Sequence, residues 1–321
     1  MTEPVRVHIR VPGTDPMPRL MKLIQSIEAA GFDGAGILDS QMLSRDTFVV
    51  LGQAAAQTTR LALFPAVTNP FTRHASVLAS AIQTVEELAP GRVRFVIGTG
   101  YTSASTIGRS PATLADMRAC IGTVKALLAG KTVDFGGTPG RLGYVSGRHI
   151  PVLMAASGAK AIEVAGEIAD GVLLLVGFNR GIVTHALELL ERGARRGGRR
   201  LEDLEIIWAV RTATLPTTAE ARRLARPTAV HWGILRWGGY WLGPAGLKLP
   251  KMEKTTTRQR SSNRSTRRWA CERARKCPWA SRSEPYSPPG KSKRAMIPSS
   301  PPSGTPRSGW RVATQATPRS G

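Results

Sequence analysis

The sequence predicts an α/β fold: a (β/α)8 TIM barrel that lacks its last unit, followed by a disordered basic tail. Three observations carry this reading. Between residues 1 and 250, short β-branched runs alternate with longer helical stretches seven times, the pattern of a parallel sheet with helices outside. The strand runs are almost wholly apolar, as strands covered on both faces are. After Pro250 the composition changes abruptly.

Taken in order, residues 5–11 (VRVHIRV) form the first strand. Residues 18–31 follow as a helix, with Leu20, Met21, Leu23, Ile24 and Ile27 at helical spacing and Gly31 as its stop. Residues 34–39 (GAGILD) are the second strand and 45–58 a helix. Residues 60–68 (RLALFPAVT) are the third strand, ending before Asn69-Pro70, and 74–89 is a helix closed by Pro90-Gly91. Residues 92–100 (RVRFVIGTG) are the fourth strand, and 111–129 a helix with Gly130 beyond it. The glycine-rich stretch 132–147 reads as an inserted hairpin or loop. Residues 151–156 are the fifth strand, 159–169 a helix, 172–176 the sixth strand, 181–194 a helix and 204–215 the seventh strand. A last helix starts over 217–224, with Thr217 or Thr218 near its N-cap.

Two architectures fit such a series, a doubly wound open sheet and a (β/α)8 barrel. The evenness of the units favours the barrel, and no strand is followed by GxGxxG and a helix, which weakens the dinucleotide-fold alternative. The eighth strand of a barrel would lie where the composition collapses. Residues 251–321 hold 17 Lys+Arg against 3 Asp+Glu, and no Leu, Phe or Asp. Such a segment cannot bury enough apolar area to offset ordering its backbone, about 1–2 kcal/mol per residue. Three accounts of it compete: a basic nucleic-acid-binding arm with Trp269, Trp279 and Trp310 among its arginines, a solvated linker, and an out-of-frame translation of a GC-rich gene. The last is favoured, because such a frame yields Arg, Pro, Ser, Gly, Ala, Thr and Trp with little Leu or Asp. The domain division is therefore a barrel over 1–250 and a disordered Ser/Pro/Arg-rich tail over 251–321.

The formal net charge of +23 would by itself suggest nucleic acid. Most of that surplus sits in the tail, so a nucleic-acid partner is disfavoured, and the milder bias of the barrel suits an anionic cofactor. No run approaches 18 uncharged apolar residues, so no membrane span is expected. The opening MTEPVRVHIRV lacks the charged-then-apolar pattern of a secretory signal, and the expected location is the cytoplasm. None of the cysteines sits in a CxxC pair or beside a metal-spaced histidine, so no metal site is expected.

In a barrel, chemistry gathers where the strands end. Asp39 lies at the end of the second strand, Ala66-Val67-Thr68-Asn69 at the end of the third, Gly98-Thr99-Gly100 at the end of the fourth and Ala156-Ser157-Gly158-Ala159-Lys160 at the end of the fifth. Asp39 could equally cap the next helix, and His74 could be an ordinary first-turn residue of its own. Gly98 and Gly100 could turn the chain tightly, or leave room for a large flat ring. At Ser157-Gly158-Lys160, free backbone N–H groups, the helix dipole and an ammonium converge on an anion, best read as a phosphate. No Ser-His-Asp order, no paired carboxylates and no HExxH appear. The site reads as a holder for a phosphorylated cofactor that carries the reactive atoms itself.

Four segments carry a resemblance: TNPFTRH (68–74), GRVRFVIGTG (91–100), AASGAKAIEVAGEIADGV (155–172) and GFDGAGILDS (31–40). Together they resemble the luciferase-like flavin-dependent oxidoreductases, nearest the branch typified by methylenetetrahydromethanopterin reductase, which uses the deazaflavin F420. The resemblance covers residues 5–250 and finds nothing to match after Lys251. It implies a (β/α)8 barrel, a homodimer, and F420, or alternatively FMN, at the strand carboxyl ends. It implies a non-prolyl cis peptide at Ala66-Val67 behind the ring, and Asp39 as the catalytic carboxylate near the reacting face. Ala66, Val67, Thr68 and Asn69 then bind the cofactor at that bulge, Gly98, Thr99 and Gly100 run along the ring and ribityl chain, and Ala156, Ser157, Gly158 and Lys160 cradle the phosphate. The implied reaction is hydride transfer to or from a small organic substrate, with FMN-dependent monooxygenation as the alternative branch. Residues 232–250 (WGILRWGGYWLGPAGLKLP) resemble the family's helical, aromatic lid region.

Overall fold

The computed structural model describes residues 5–230 and 240–247. The chain divides into two units, Met1–Glu253 and Lys254–Gly321, and every described residue lies in the first. The expected disorder over 251–321, and the nucleic-acid arm with it, lies outside the described residues. So does most of the expected lid, of which 240–247 is described.

Seven parallel strands form, one for each predicted strand: β1 (His8–Val11), β2 (Gly34–Ile37), β3 (Ala62–Pro65), β4 (Phe95–Ile97), β7 (Val152–Ala156), β8 (Gly171–Leu174) and β9 (Glu205–Trp208). The inserted stretch holds the antiparallel pair β5 (Val133–Asp134) and β6 (Pro139–Gly140), as its glycines suggested. The ladders run β1-β2-β3 and β4-β7-β8-β9, and parallel bridges Leu63↔Val93 and Thr68↔Ile97 join the two. Among the described residues, β1 pairs only with β2 and β9 only with β8.

Around them lie α1 (Met17–Ala29), α2 (Thr47–Gln57), α3 (Ala75–Leu88), α4 (Tyr101–Thr106), α5 (Leu114–Leu128), α6 (Ala159–Ile168), α7 (Arg180–Arg196) and α8 (Thr218–Val230). In α1, Leu20, Met21, Ile24 and Ile27 are buried as expected, whereas Leu23 falls at the solvent edge of the stripe and is exposed. At the start of α8 the Glu220 N–H donates to Thr217 Oγ1 at 3.3 Å, the cap expected there. Two expectations need correction. The seventh strand is four residues long rather than twelve, because β8, its only partner among the described residues, ends at Leu174, which pairs with Trp208. The short helix α4 falls between the fourth strand and the helix over 111–129, where the sequence predicts no element, because YTSAST is poor in strong helix formers and follows a glycine.

Alternation along the strands splits the core in two. Phe64, Ala66, Val96, Leu153 and Leu173 point inward and pack with Val67, Ala155, Leu175, Ile207 and Ala209. Their neighbours Leu63, Phe95, Ile97, Val152, Met154, Val172 and Leu174 point outward against the helices. The sheet is curled. Strands β4 and β9 lie three places apart, about 14 Å in a flat sheet at ~4.8 Å spacing, yet Arg94 Nε just before β4 reaches Glu205 Oε1 of β9 at 2.6 Å. This is barrel curvature with an inner filling of side chains, as the sequence predicted.

Two further contacts fix the outer layer. The Glu28 carboxylate at the end of α1 accepts backbone N–H groups from Thr59, Arg60 and Leu61 at 3.0, 2.7 and 3.2 Å, which ties α1 to the entry of β3. Helices α6 and α7 approach through glycines: a Cβ on Gly166 would run into the Leu190 carbonyl, and one on Gly193 into the Glu163 carbonyl. Among the described residues no helix is long and apolar enough to cross a membrane.

Candidate functional site

The predicted residues meet where the parallel strands end. The Ala66-Val67 peptide, just past β3, is cis. Its Ala66 carbonyl accepts from Arg10 Nε of β1 at 2.9 Å, so one inward arginine steadies the peptide. Burial, then the like charge of Arg211, lower the Arg10 pKa from its ordinary value. Next to the cis peptide, Gly98 is buried, and a Cβ there would lie 3.1 Å from Val67 Cγ2 and 3.3 Å from the Ala155 Cβ. Val67, Gly98 and Ala155 thus form a floor of small groups across β3, β4 and β7. Gly98 has no left-handed backbone, so its small size serves space rather than a turn. Gly100 is the turning residue: it caps α4 with φ 74°, and a Cβ would come within 2.6 Å of the Asn69 Cβ. Thr99 between them is half-buried and its carbonyl accepts the Ala112 N–H at 2.8 Å.

Asp39 stands just past β2 and is 4% exposed. Its Oδ2 accepts from Thr68 Oγ1 at 2.6 Å and from Arg73 Nη1 at 2.7 Å. Arg73 Nη2 also reaches Asp46 Oδ2 at 2.5 Å, and the guanidinium lies 5.1 Å from the Phe48 ring. Burial alone would lower the Arg73 pKa, but the two carboxylates outweigh it and hold the pKa above the ordinary value. The cap of α2 is Asp46, whose Oδ1 accepts from Phe48 and Val49, so Asp39 does not serve that purpose. Burial would raise the Asp46 pKa, but the Arg73 bond and charge and those two N–H groups bring it below the usual carboxylate range. Asp39 is therefore a buried carboxylate gripped on one oxygen by a threonine and an arginine.

Asn69 is buried with its hydrogen bonding complete. Its Oδ1 accepts from Phe71 and Thr72 N–H at 3.0 Å each, and its Nδ2 donates to Thr72 Oγ1 and Ser103 Oγ at 3.0 Å each. This side chain shapes the loop after β3 and has no group left to offer a ligand. His74 caps α3, its Nδ1 accepting the Ser76 N–H at 3.3 Å, close to the ordinary role considered for it.

On the far side, Ala156 ends β7 and Gly158 caps α6 without any side-chain hydrogen bond to the helix start. The first-turn N–H groups of α6 are thus left to a ligand or solvent. Ser157, Gly158, Ala159, Lys160, Ala161 and Leu114 line a cavity of about 420 Å³, walled by Tyr240 and Trp241. Trp241 is buried and its Nε1 donates to the Ser157 carbonyl at 2.8 Å. The described part of the aromatic segment therefore closes one side of this cavity.

Sequence reasoning missed Arg73, Gln41 and Trp241. Arg73 sits inside the quoted TNPFTRH, and an arginine there facing a lone buried aspartate was the available signal. Gln41 Nε2 donates to the Ser103 carbonyl at 2.5 Å and joins the loops after β2 and β4. Its Oε1 and the neighbouring Ser40 Oγ are buried with no hydrogen-bond partner. Among the described residues no group of three or more His, Cys, Asp or Glu could hold a metal ion.

The site fits a phosphorylated, flat-ringed cofactor on two counts: the small-residue floor and the uncapped helix start beside Lys160. The sequence model of the luciferase-like monooxygenase family matches residues 4–286, running on past Pro250, where residue reading had found the likeness to stop. The chain is 32% identical over 236 residues to F420-dependent glucose-6-phosphate dehydrogenase of Beutenbergia cavernae, covering 65% of this chain and 66% of that one. It is 28% identical over 202 residues to 5,10-methylenetetrahydromethanopterin reductase of Methanolobus tindarius, covering 60% of each. The matched stretches thus span about six-tenths to two-thirds of these curated relatives. In three dimensions it resembles the coenzyme F420-dependent tetrahydromethanopterin reductase of Methanopyrus kandleri, with TM-score 0.60 and 24% identity over 71% of this chain and 72% of that one, a likeness of fold.

Proposed function

The chain belongs to the luciferase-like monooxygenase family, and from that premise we propose that it is an oxidoreductase that uses F420 for hydride transfer with a small organic substrate. The observation that carries the reading is the joint placement of a bare helix start at α6 and a small-residue floor at Val67, Gly98 and Ala155, both where the strands end. A phosphate would take the N–H groups at the start of α6 together with Lys160, where the helix dipole favours negative charge. The ring would lie on the floor, which large side chains would fill. When bound, such a cofactor supplies the hydride chemistry that protein side chains lack.

The chain's own residues then bind and orient. Arg10 fixes the carbonyl behind the floor. Thr68 and Arg73 hold Asp39 by Oδ2, leaving Oδ1 as the oxygen available to a substrate or ring proton. Trp241, pinned to Ser157, limits water at the phosphate side. FMN and monooxygenation form the second reading, favoured by the family's own monooxygenase description. A homodimer, a small-molecule substrate and a cytoplasmic location are proposed with it, from the resemblance.

Incubation with F420 or FMN, gel filtration and an absorption spectrum of the protein peak test the reading. Retention of F420 in preference to FMN supports it, retention of FMN alone moves the assignment to the second reading, and retention of neither rejects both.

A further inference from the structure

A second cavity lies at the other end of the barrel, where β7 and β8 begin. Its volume is about 600 Å³, within the roughly 300–1,000 Å³ of small-molecule sites. The end of α5 forms one wall and the loop leading into β7 another, with Val152 and Asp170 at the entries of β7 and β8. Leu128, Val145, Ile150 and Val152 give it an apolar lining. Lys125, Lys131, Arg148 and His149 also line it, against one carboxylate, Asp170.

That carboxylate is already occupied. Its Oδ1 accepts from Lys125 Nζ at 2.6 Å and its Oδ2 from the Val152 N–H at 2.9 Å, while His149 Nε2 lies 3.6 Å from Oδ2. Lys125 and Asp170 therefore cancel. Lys131 and Arg148 are exposed, and among the described residues no carboxylate pairs with either. A lysine near a helix end is ordinary, because it faces the carbonyl end of the dipole. Here that end has other donors: the N–H groups of Gly130 and Lys131 close it on the Leu127 and Ala126 carbonyls at 2.9 Å each, with Gly130 at φ 71°. The closure fixes the Lys131 backbone. A Cβ on Gly130 would lie 3.3 Å from Val145 Cγ2, so the loop carrying Arg148 sits against the same helix end.

Two cations without carboxylate partners beside an apolar lining select an anion with an apolar body. A planar guanidinium matches a carboxylate through two parallel N–H···O bonds. We propose that this cavity binds an apolar carboxylate, held by Arg148 and Lys131 with its hydrocarbon part against Leu128, Val145 and Ile150. Chemistry in a barrel gathers at the opposite end, so this ligand is bound rather than turned over. The site is independent of any cofactor at the strand carboxyl ends.

Isothermal titration calorimetry of the full chain with octanoate tests the proposal, with 1-octanol and acetate as probes of the apolar and charged parts alone. The expected result is saturable binding of octanoate, roughly tenfold tighter than either control. Lys131→Gln combined with Arg148→Gln should weaken octanoate about tenfold, to the level of 1-octanol. Arg19→Gln combined with Lys22→Gln, which removes the same charge from exposed positions of α1, should leave it unchanged. All four side chains are exposed, so both paired variants should keep the circular dichroism spectrum of the unsubstituted protein. Equal affinity for octanoate and 1-octanol, binding that does not saturate, or an equal loss in the two paired variants overturns the proposal. An equal loss in Lys160→Ala also overturns it, because the anion would then lie at the start of α6.

Discussion

Replacing Arg73 with methionine removes a guanidinium that serves two carboxylates and keeps most of its volume. The Arg73 and Asp39 side chains are 16% and 2% exposed, and their contact is 2.7 Å. Breaking a buried pair by deleting one partner costs about 3–5 kcal/mol, because the other charge is left uncompensated. The partial exposure of Arg73 places this at the lower end, about 3 kcal/mol. The Asp46 contact adds at most about 1 kcal/mol, since that carboxylate is half exposed. The expected loss is therefore about 4 kcal/mol, or a fall in Tm of about 8–16 °C for a domain of this size. Thermal unfolding followed by circular dichroism measures it. Asp39→Asn combined with Arg73→Met should recover about half of the loss, because the stranded charge is gone. A fall of less than about 2 °C in the single variant, or a double variant worse than the single, would refute the buried-pair reasoning.

Further outcomes follow from the same contacts. Lys160→Ala should weaken FMN binding about tenfold and leave riboflavin binding unchanged, since only the phosphorylated form meets the ammonium; fluorescence titration of the two ligands decides it. Gly166→Val places atoms against the Leu190 carbonyl and should cost about 1–3 kcal/mol by overpacking the α6–α7 contact, a loss visible in urea unfolding. Burial would raise the Glu28 pKa, but the N–H groups of Arg60, Thr59 and Leu61 bring it below the ordinary carboxylate value. A depressed folded pKa gives stability that is present above the unfolded value, ~4.5, and is lost as pH falls through the folded one. Glu28→Gln should thus destabilise at pH 7 and show a shallower decline in acid; identical acid profiles for the two proteins would contradict this assignment.

The strand order, the helices and the inserted hairpin were legible because their signals are periodic and local. β-branched runs such as VRVHIRV and GAGILD, and stops such as Gly31, act within a few residues of where they are read. Strand ends were less legible, because a ladder ends where its neighbour ends: the stretch after Trp208 looks extended in sequence but β8 has already stopped at Leu174. Helix α4 was hidden for the opposite reason, since Gly100 and the hydroxyl residues after it read as loop.

The site divides in the same way. The positions of Gly98, Ser157-Gly158 and Lys160 followed from what a glycine or a bare helix start does locally. The role of Asp39 did not, because it depends on partners 29 and 34 residues away, and for Asn69 the bonds to Phe71 and Thr72 are local but the one to Ser103 spans 34 residues. Asn69 looked like a ligand group and proved to be a loop latch, with all four of its hydrogen-bonding positions used. Asp39 looked like a candidate cap and proved to be held by Thr68 and Arg73. Arg73 was inside a quoted motif and went unread, because no local rule says that an arginine before a helix will turn back to a carboxylate past another strand.

The central claim is that the strand carboxyl ends hold a phosphorylated (deaza)flavin, with its phosphate at the start of α6 and its ring on Val67, Gly98 and Ala155. A crystal structure of the protein grown with saturating F420 tests it most directly. The account predicts phosphate oxygens within hydrogen-bond distance of the N–H groups of Ala159, Lys160 or Ala161 and a ring in contact with Val67 and Gly98. A phosphate bound elsewhere, or an empty floor at a concentration that saturates binding in solution, would contradict it.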